Sequence, residues 1–183
     1  MKRTGNFLCV LPIVMMLGIF GYSHKAPSVG EIKSIYIKTI ENKINIGAEI
    51  SERSGYKTYR PGLEIEATKV IINRFLYDGG IKVVSSEKEA DAKLLGELVD
   101  YNRQALRYSS EQTIEEFRVN VTVNFKLIDM RSEEKKVLWE GSLSGDSSQV
   151  TAGRFSKTET QAVDDALVDL ARRVIERTFQ EDW

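Results

Sequence analysis

The sequence predicts an α+β fold, a two-layer sandwich with two helices packed on one face of a mainly antiparallel sheet of four to five strands. Residues 117–127 alternate strictly between apolar and polar side chains, which is typical of a strand with one buried and one solvated face. Residues 61–78 and 157–180 instead place apolar side chains three or four positions apart, the spacing of an amphipathic helix. Because the helices need an apolar surface and the strand offers one, the two layers are expected to pack together.

The alternating strand defines two different surfaces. Its odd positions are apolar and are predicted to face the helices: Phe117, Val119, Val121, Val123, Phe125 and Leu127. Its even positions are polar: Arg118, Asn120, Thr122, Asn124 and Lys126. A polar face of this kind either meets solvent or receives a partner, and the alternation alone does not distinguish the two.

The first half of the chain is expected to supply one strand and one helix. Residues 32–40 are rich in β-branched side chains, which predicts a first strand. Residues 41–60 have no clean period and are predicted to form a loop. Pro61 is expected at the start of the first helix, where its missing N–H costs least, and Gly79 with Gly80 is expected to end it.

Further strands are predicted at 81–84, 92–108 and 137–143. Polar turns at 109–113 and 131–136 connect the later strands, so they should form an antiparallel meander. The first half of the long strand carries apolar residues on both faces. Simple alternation places Ala92, Leu94 and Leu98 on one face and Leu95, Val99 and Tyr101 on the other.

The C-terminal helix has a clear beginning and a favourable charge distribution. Ser156 with Glu159, or Thr158 with Gln161, has the spacing of a capping box. Acidic residues are concentrated in the first half of the helix and arginines in the second, which complements the helix dipole.

Composition and motifs argue against catalysis. Cys9 and His24 are the single cysteine and the single histidine among 183 residues, so a disulfide framework and most histidine-based catalytic sets are excluded. No zinc-protease, nucleotide-binding or paired-cysteine motif occurs, and Asp164 with Asp165 is best interpreted as part of a solvated helix face. We therefore predict no catalytic residues, no metal and no cofactor, and the net charge of −1 does not favour nucleic acid as a partner.

The N-terminus has the pattern of an export signal. Lys2 and Arg3 precede an apolar run over 7–20 that is shorter than a comfortable membrane span, and small residues allow cleavage after Ser23. Cleavage there would leave 24 basic and 27 acidic residues, a net charge of −3. The predicted organisation is a signal peptide or N-terminal anchor over 1–23, a linker over 24–30 and one domain over 31–183.

The far end of the long hairpin carries the residues best suited to bind a ligand. Tyr101, Arg103, Arg107 and Tyr108 lie beyond the point where the apolar pattern stops. Arginine and tyrosine together suit recognition of phosphate or sugar, and they equally suit simple solubility of an exposed strand.

Several segments, in this order, resemble the LptE family of lipopolysaccharide-assembly lipoproteins. They are 32–37, 61–64, 90–101, 116–123 and 137–140, followed by the acidic-to-basic C-terminal helix. The resemblance covers nearly the whole predicted mature chain. It implies an outer-membrane protein on the periplasmic face that plugs an LptD-like β-barrel, binds lipopolysaccharide and helps to deliver it to the outer leaflet. Arg103 and Arg107, flanked by Tyr101 and Tyr108, would be the first phosphate contacts, with Lys93 and Arg118 behind them.

One departure from the family pattern concerns membrane attachment. The family normally carries a lipidated cysteine directly before Gly-Tyr, whereas Phe20 precedes Gly21 and Tyr22 here. Cys9 precedes most of the apolar run and cannot replace it. We therefore expect no lipid anchor.

A second class of protein fits the same order of elements. Periplasmic adaptor or activator domains of the TolB, CsgG and LpoB type also combine a strand, a helix, a strand that begins Ala-Asp-Ala and a hairpin ending near a tryptophan. Such a domain would regulate an envelope complex without binding lipopolysaccharide.

Overall fold

A computed structural model describes residues 32–44 and 60–179. Six strands and two longer helices occur in this part of the chain. In chain order they are β1 (Ser34–Ile37), β2 (Glu41–Asn42), α1 (Leu63–Asp78), β3 (Lys82–Val83), β4 (Ala92–Tyr108), β5 (Ile114–Asp129), β6 (Val137–Val150) and α2 (Glu159–Phe179), with a short 3-10 turn at Glu87–Glu89.

The sheet is mixed, with its larger part antiparallel. The strand order is β3-β1-β4-β5-β6, and β2 also pairs with β4. The predicted meander of β4, β5 and β6 is confirmed. The three short strands pair in parallel with their neighbours, because α1 crosses over the sheet between β2 and β3 and returns the chain in the same direction.

Both helices lie on the face formed by the odd positions of β5, so the predicted two-layer fold is confirmed. Val119, Val121, Val123, Phe125 and Leu127 are fully or almost fully buried. Phe117, nearer the end of the hairpin, is only partly buried.

The first helix begins and ends close to the predicted residues. It starts at Leu63, after Gly62 in a left-handed conformation, and is stopped by Gly79 at φ 64°. The hydroxyl of the buried Thr68 accepts a hydrogen bond from the Ile40 backbone N–H at 3.0 Å and donates one to the Glu64 carbonyl at 2.7 Å. This residue therefore ties the helix to the chain between β1 and β2.

The predicted loop over 41–60 is wrong at its start, because Glu41–Asn42 pairs with β4 as a short strand. Two residues are too few to show a period, so only the pairing reveals them. Residues 45–59 lie outside the part of the chain described here.

The Ala-Asp-Ala segment before β4 anchors the first strand. The Asp91 carboxylate accepts hydrogen bonds from the backbone N–H groups of Lys33 at 2.8 Å and Ser34 at 3.0 Å. The bond from Lys33 holds the pKa of Asp91 below its usual value.

Strand β4 has the predicted bounds, residues 92–108. The turn that follows it is closed by a hydrogen bond from Ser109 N to the Thr113 carbonyl at 2.8 Å.

Strand β6 is longer than the sequence predicts, because it continues beyond the expected end at Leu143 to Val150. Residues 144–150 carry small and polar side chains with no alternation, and they stay extended because they pair with β5.

The second helix uses the second of the two predicted capping boxes. Thr158 Oγ1 accepts a hydrogen bond from Gln161 N at 3.2 Å, and Gln161 Oε1 accepts one from Thr158 N at 2.9 Å. The helix crosses β6 at Gly145, where a Cβ atom would lie 2.7 Å from Leu170 N and would also meet the Ala166 carbonyl oxygen. Only glycine permits this close approach.

The two faces of β5 predict opposite responses to the same substitution. Val121→Asp would place a charge in the core beneath the helices, at a site with no exposed surface. It should lower the free energy of unfolding by at least about 3 kcal/mol. Thr122→Asp loses a hydroxyl contact to Ser144 at 2.9 Å on the open face and places a second carboxylate opposite Asp100. Together these changes should cost only about 1–2 kcal/mol, because both groups remain accessible to solvent. Urea denaturation of both variants measures the difference, and equal losses would contradict the assignment of faces.

Candidate functional site

A β-bulge in the long strand decides which side chains reach the second helix. The pairing of β4 with β5 shifts at Val99, so Tyr101 lies opposite Val121 and Arg103 lies opposite Val119. Opposite residues in an antiparallel pair share a face, so both point toward the helices. The expected placement of Tyr101 with Leu95 and Val99 is therefore wrong, because a bulge shifts the alternation by one residue.

Glu159, the first residue of α2, joins the predicted site to the helix layer. Its carboxylate accepts hydrogen bonds from the Tyr101 hydroxyl and from Arg103 Nη1, both at 3.1 Å. The Arg103 guanidinium also stacks on the Phe117 ring, 3.6 Å from its centroid. Burial, reinforced by the charge and the hydrogen bond of Glu159, raises the pKa of Tyr101 to about 12. Tyr101 and Arg103 thus form part of the packed framework.

Arg107, Tyr108 and Arg118 are exposed near the end of the hairpin. Arg107 Nε lies 3.1 Å from Glu115 Oε2 in an open ion pair, and 58% of Tyr108 is accessible. Arg118 has no ion-pair partner among the described residues. The pairing of β4 with β5 shifts again between Ala105 and Arg107. The side chains of Arg103 and Arg107 therefore do not belong to one uninterrupted row on a single face of the sheet.

Lys93 lies at the opposite end of β4, where its ammonium group is 2.7 Å from Glu87 Oε2. Ten residues of extended strand separate it from Arg103, or about 33 Å. The structure thus places the six predicted residues in three groups: Tyr101 with Arg103, the exposed set Arg107, Tyr108 and Arg118, and Lys93 alone.

The distal end of the sheet also exposes residues that the sequence pattern did not single out. We use "distal end" for the 109–113 turn, the strand ends beside it and the connection over 151–158. Leu106 is 41% accessible and Phe155 is 79% accessible, and Arg154 is exposed in the same connection. An aromatic residue within a run of small and polar residues was the available signal for Phe155.

The second face of β4–β6 carries no helix in the described structure and is polar. Asn120 donates to Asp146 at 2.7 Å, and the Thr122 and Ser144 hydroxyls are 2.9 Å apart. A groove of about 490 Å³ lies across the three strands. Its lining side chains on this open face are Leu95, Glu97, Asn124, Lys126, Glu140 and Ser142.

Within residues 32–44 and 60–179, no group of three or more histidine, cysteine, aspartate or glutamate side chains is arranged to hold a metal ion. Cys9, His24 and the predicted signal segment lie outside the described residues. Neither α1 nor α2 has the length and apolar content needed to cross a membrane.

A helix-backed sheet with a solvated face and an end bearing arginine and aromatic side chains has the form of a binding domain. A comparison of the sequence with models of protein families identifies the family to which this domain belongs. The model described as LptE, lipopolysaccharide-assembly, matches residues 32–178, and the chain belongs to this family. Family membership confirms the resemblance drawn from the ordered segments. It makes the chain a member of a non-enzymatic family and indicates an exported protein associated with the outer membrane and with lipopolysaccharide assembly.

Solved structures support the fold. Hypothetical protein CT253 from Chlamydia trachomatis is 10% identical, with a TM-score of 0.54 over 81% of this chain and 96% of that one. Protein XCC0632 from Xanthomonas campestris is 13% identical, with a TM-score of 0.53 over 80% of this chain and 84% of the other. Rare lipoprotein B from Shewanella oneidensis is 10% identical and gives a TM-score of 0.43 over 79% and 92% of the two chains. At these identities the similarity concerns the fold alone, and the third score is too low to carry an argument. A search of curated proteins found no match.

The buried Tyr101 hydroxyl predicts a specific alkaline response. Its raised pKa means that the folded state keeps this proton at a pH where the unfolded chain, with a pKa near 10, has lost it. The stability that Tyr101 contributes should therefore be complete below pH 10 and should fall as the pH rises from 10 through 12. Ultraviolet titration should show one late tyrosinate component near pH 12. Tyr101→Phe should remove that component, and the exposed control Tyr108→Phe should leave it in place.

Proposed function

We propose that this protein binds lipopolysaccharide at its distal end and delivers it to the outer leaflet together with an LptD-like outer-membrane β-barrel. Membership in the lipopolysaccharide-assembly family supports the class of ligand. The observation that carries the proposed site is the exposure of Arg107 and Arg118 next to exposed apolar side chains at one end of the sheet.

Arg107 and Arg118 are the proposed direct contacts to the phosphates of the ligand. A guanidinium group binds phosphate through two parallel charge-assisted hydrogen bonds. The Arg107–Glu115 pair is open to solvent, with accessible side-chain fractions of 58% and 44%. An exposed pair of this kind contributes only about 0–1 kcal/mol, so phosphate can replace Glu115 at little cost.

Arg103 and Tyr101 have a positioning role in this proposal. A direct phosphate contact by Arg103 would require its guanidinium to leave both Glu159 and the Phe117 ring. Holding the start of α2 against the hairpin keeps the distal end in one shape. Lys93 would make a separate contact at the other end of the strand.

Exposed apolar side chains at the distal end could contact the acyl chains of lipopolysaccharide. Leu106, Tyr108 and Phe155 expose apolar surface at the same end as the arginines. Acyl chains gain roughly 0.8 kcal/mol for each methylene group removed from water. A distal end with both kinds of side chain therefore suits an amphiphile that carries phosphate and acyl chains.

The open sheet face is the proposed contact for the barrel. The lumen of an outer-membrane barrel is polar, and this face presents hydroxyl, amide and charged groups across three strands. Docking there would hold the protein at the outer membrane without the lipid anchor that Phe20 makes unexpected.

Lipopolysaccharide binding tests the proposed site. The double variant Arg107→Glu and Arg118→Glu should weaken binding more than tenfold, because each charge-assisted contact is worth roughly 1.5–3 kcal/mol. Lys82→Glu with Lys88→Glu is the matched control, since it makes the same change in net charge at exposed positions near the opposite end of the sheet. Both variants should melt near the wild-type temperature. Equal weakening by the two would show a general charge effect, and normal binding by the distal variant would place the site elsewhere.

Capture of the barrel tests the partner. The full chain should co-purify with a large outer-membrane β-barrel, and Thr122→Lys combined with Ser144→Lys on the open face should reduce the yield of the complex. A wild-type protein that captures no barrel and binds no lipopolysaccharide would instead favour the adaptor or activator class.

A further inference from the structure

The connection between β6 and α2 contains a loop that is closed at its base. Lys157 N donates a backbone hydrogen bond to the Val150 carbonyl at 2.9 Å. The buried side chain of Gln149 adds a second contact, because its Nε2 donates to the Lys157 carbonyl at 3.3 Å. The two ends of the segment 151–156 are therefore held together, and we call this segment the 151–156 loop.

The start of the 151–156 loop is fastened to β5. Thr151 N donates to the Glu115 carbonyl at 2.9 Å, and the Thr151 hydroxyl lies 3.1 Å from the carbonyl oxygens of both Ile114 and Glu115. The side chain of Glu115 forms the open ion pair with Arg107. The loop thus begins beside one of the two proposed phosphate contacts.

A tight turn forms the tip of the loop. Gly153 has a φ of 92°, and Ser156 N donates to the Gly153 carbonyl at 3.2 Å. Glycine adopts a positive φ without the strain that a side chain would cause. The two central positions of this turn are Arg154 and Phe155. Both are exposed, and 79% of Phe155 is accessible.

A phenylalanine on a turn that is already formed is well suited to bind a ligand. The side chain has only two rotatable bonds, so little conformational entropy is lost on association. The Phe155 ring has no donor or acceptor for phosphate, and it gains most by moving from water into hydrocarbon. Leu106 and Tyr108 extend from β4 and are 41% and 58% accessible. Phe155 therefore has the largest exposed fraction of the three apolar side chains at the distal end.

We infer that Phe155 is the residue that determines a preference for an acylated ligand, with its ring inserted among the acyl chains. This inference rests on the proposed function, because it assigns one part of lipopolysaccharide to one loop of the distal end. The base of the loop and the strand of Arg107 lie on either side of β5, about 10 Å apart. The phosphate-bearing head and the acyl chains are adjacent parts of one amphiphile, so both contacts can form at once.

Binding of two forms of the ligand tests this assignment. The two probes are intact lipopolysaccharide and the same lipopolysaccharide stripped of its acyl chains. The wild-type chain should bind the intact form more than tenfold more tightly. Phe155→Ala should reduce this preference at least fivefold by weakening binding of the intact form, with the affinity for the stripped form unchanged. Arg107→Glu with Arg118→Glu should instead weaken binding of both forms.

Tyr77→Ala is the matched control. Tyr77 is also an exposed aromatic residue, 84% accessible, but it lies in the last turn of α1, which leads to β3 at the edge of the sheet opposite β6. The control should keep the full preference for the intact form, and both variants should melt near the wild-type temperature.

Each other outcome overturns the inference in a recognisable way. A Phe155→Ala chain that keeps the full preference, or a Tyr77→Ala chain that loses as much of it, would overturn the role of Phe155 and leave the proposed function in place. Loss of the preference in Leu106→Ala and not in Phe155→Ala would assign the acyl chains to β4. A wild-type chain that binds the two forms equally would retain phosphate recognition alone, whereas one that binds neither would contradict the proposed function itself.

A fluorescent label gives an independent measurement of the contact. In a Cys9→Ser background, which removes the single native cysteine, Phe155→Cys is labelled with a fluorophore that responds to polarity. Its emission should shift to shorter wavelength with intact lipopolysaccharide and stay unchanged with the stripped form. The same label on Tyr77→Cys should not shift with either. Equal shifts at the two positions, or no shift at position 155, would overturn the inference.

Discussion

The close approach of α2 to β6 at Gly145 is the constraint on which the two-layer arrangement depends. A helix normally rests on the side chains of a sheet, but here its backbone nears the strand itself, with Leu170 and Ala166 beside the glycine. Ala162, Ala166 and Ala171 keep the buried helix face shallow. This proximity fixes the height of α2 above β5 and sets where Glu159 begins the helix. The position of Glu159 in turn decides which side chains of the hairpin are held and which remain free.

The sequence predicted the elements that carry a clear period. Apolar side chains recur at regular spacing in β5, in α1 from Leu63 to Phe75, and in α2. Because each of these elements is buried on one face over several turns or residues, its sequence pattern is unambiguous. The long strand β4 was also predicted with its observed bounds. Features that depend on pairing left no such pattern. Strand β2 is two residues long, and the last part of β6 is extended because β5 supports it, with small polar residues that have no strong preference of their own.

The candidate site was predicted in composition better than in geometry. The arginines and tyrosines of the distal hairpin were identified by residue type and position, but alternation cannot register the extra residue of a bulge. Tyr101 and Arg103 were therefore expected to be free, although they contact Glu159 from 56 to 58 positions away in the chain. Such long-range partners are invisible to local patterns. The exposed aromatic Phe155 was missed for a related reason, since its importance comes from the strand ends that lie beside it.

The bulge at Val99 lets the strand change its length by one residue without changing its faces. Leu98 pairs with Val123 and Asp100 pairs with Thr122, so Val99 is the one extra residue between two pairs that are consecutive on β5. Deleting Val99 would leave a regular ladder in which Tyr101 and Arg103 still face the helices. Pairing Val99 with Thr122 instead would exchange the two rows, turning Tyr101 and Arg103 outward and Asn102 and Gln104 toward α2. A chain of this fold that lacks the residue at this point would therefore present the same chemistry to the second helix, whereas a change that closes the bulge while keeping the residue would replace that chemistry without any substitution in the site.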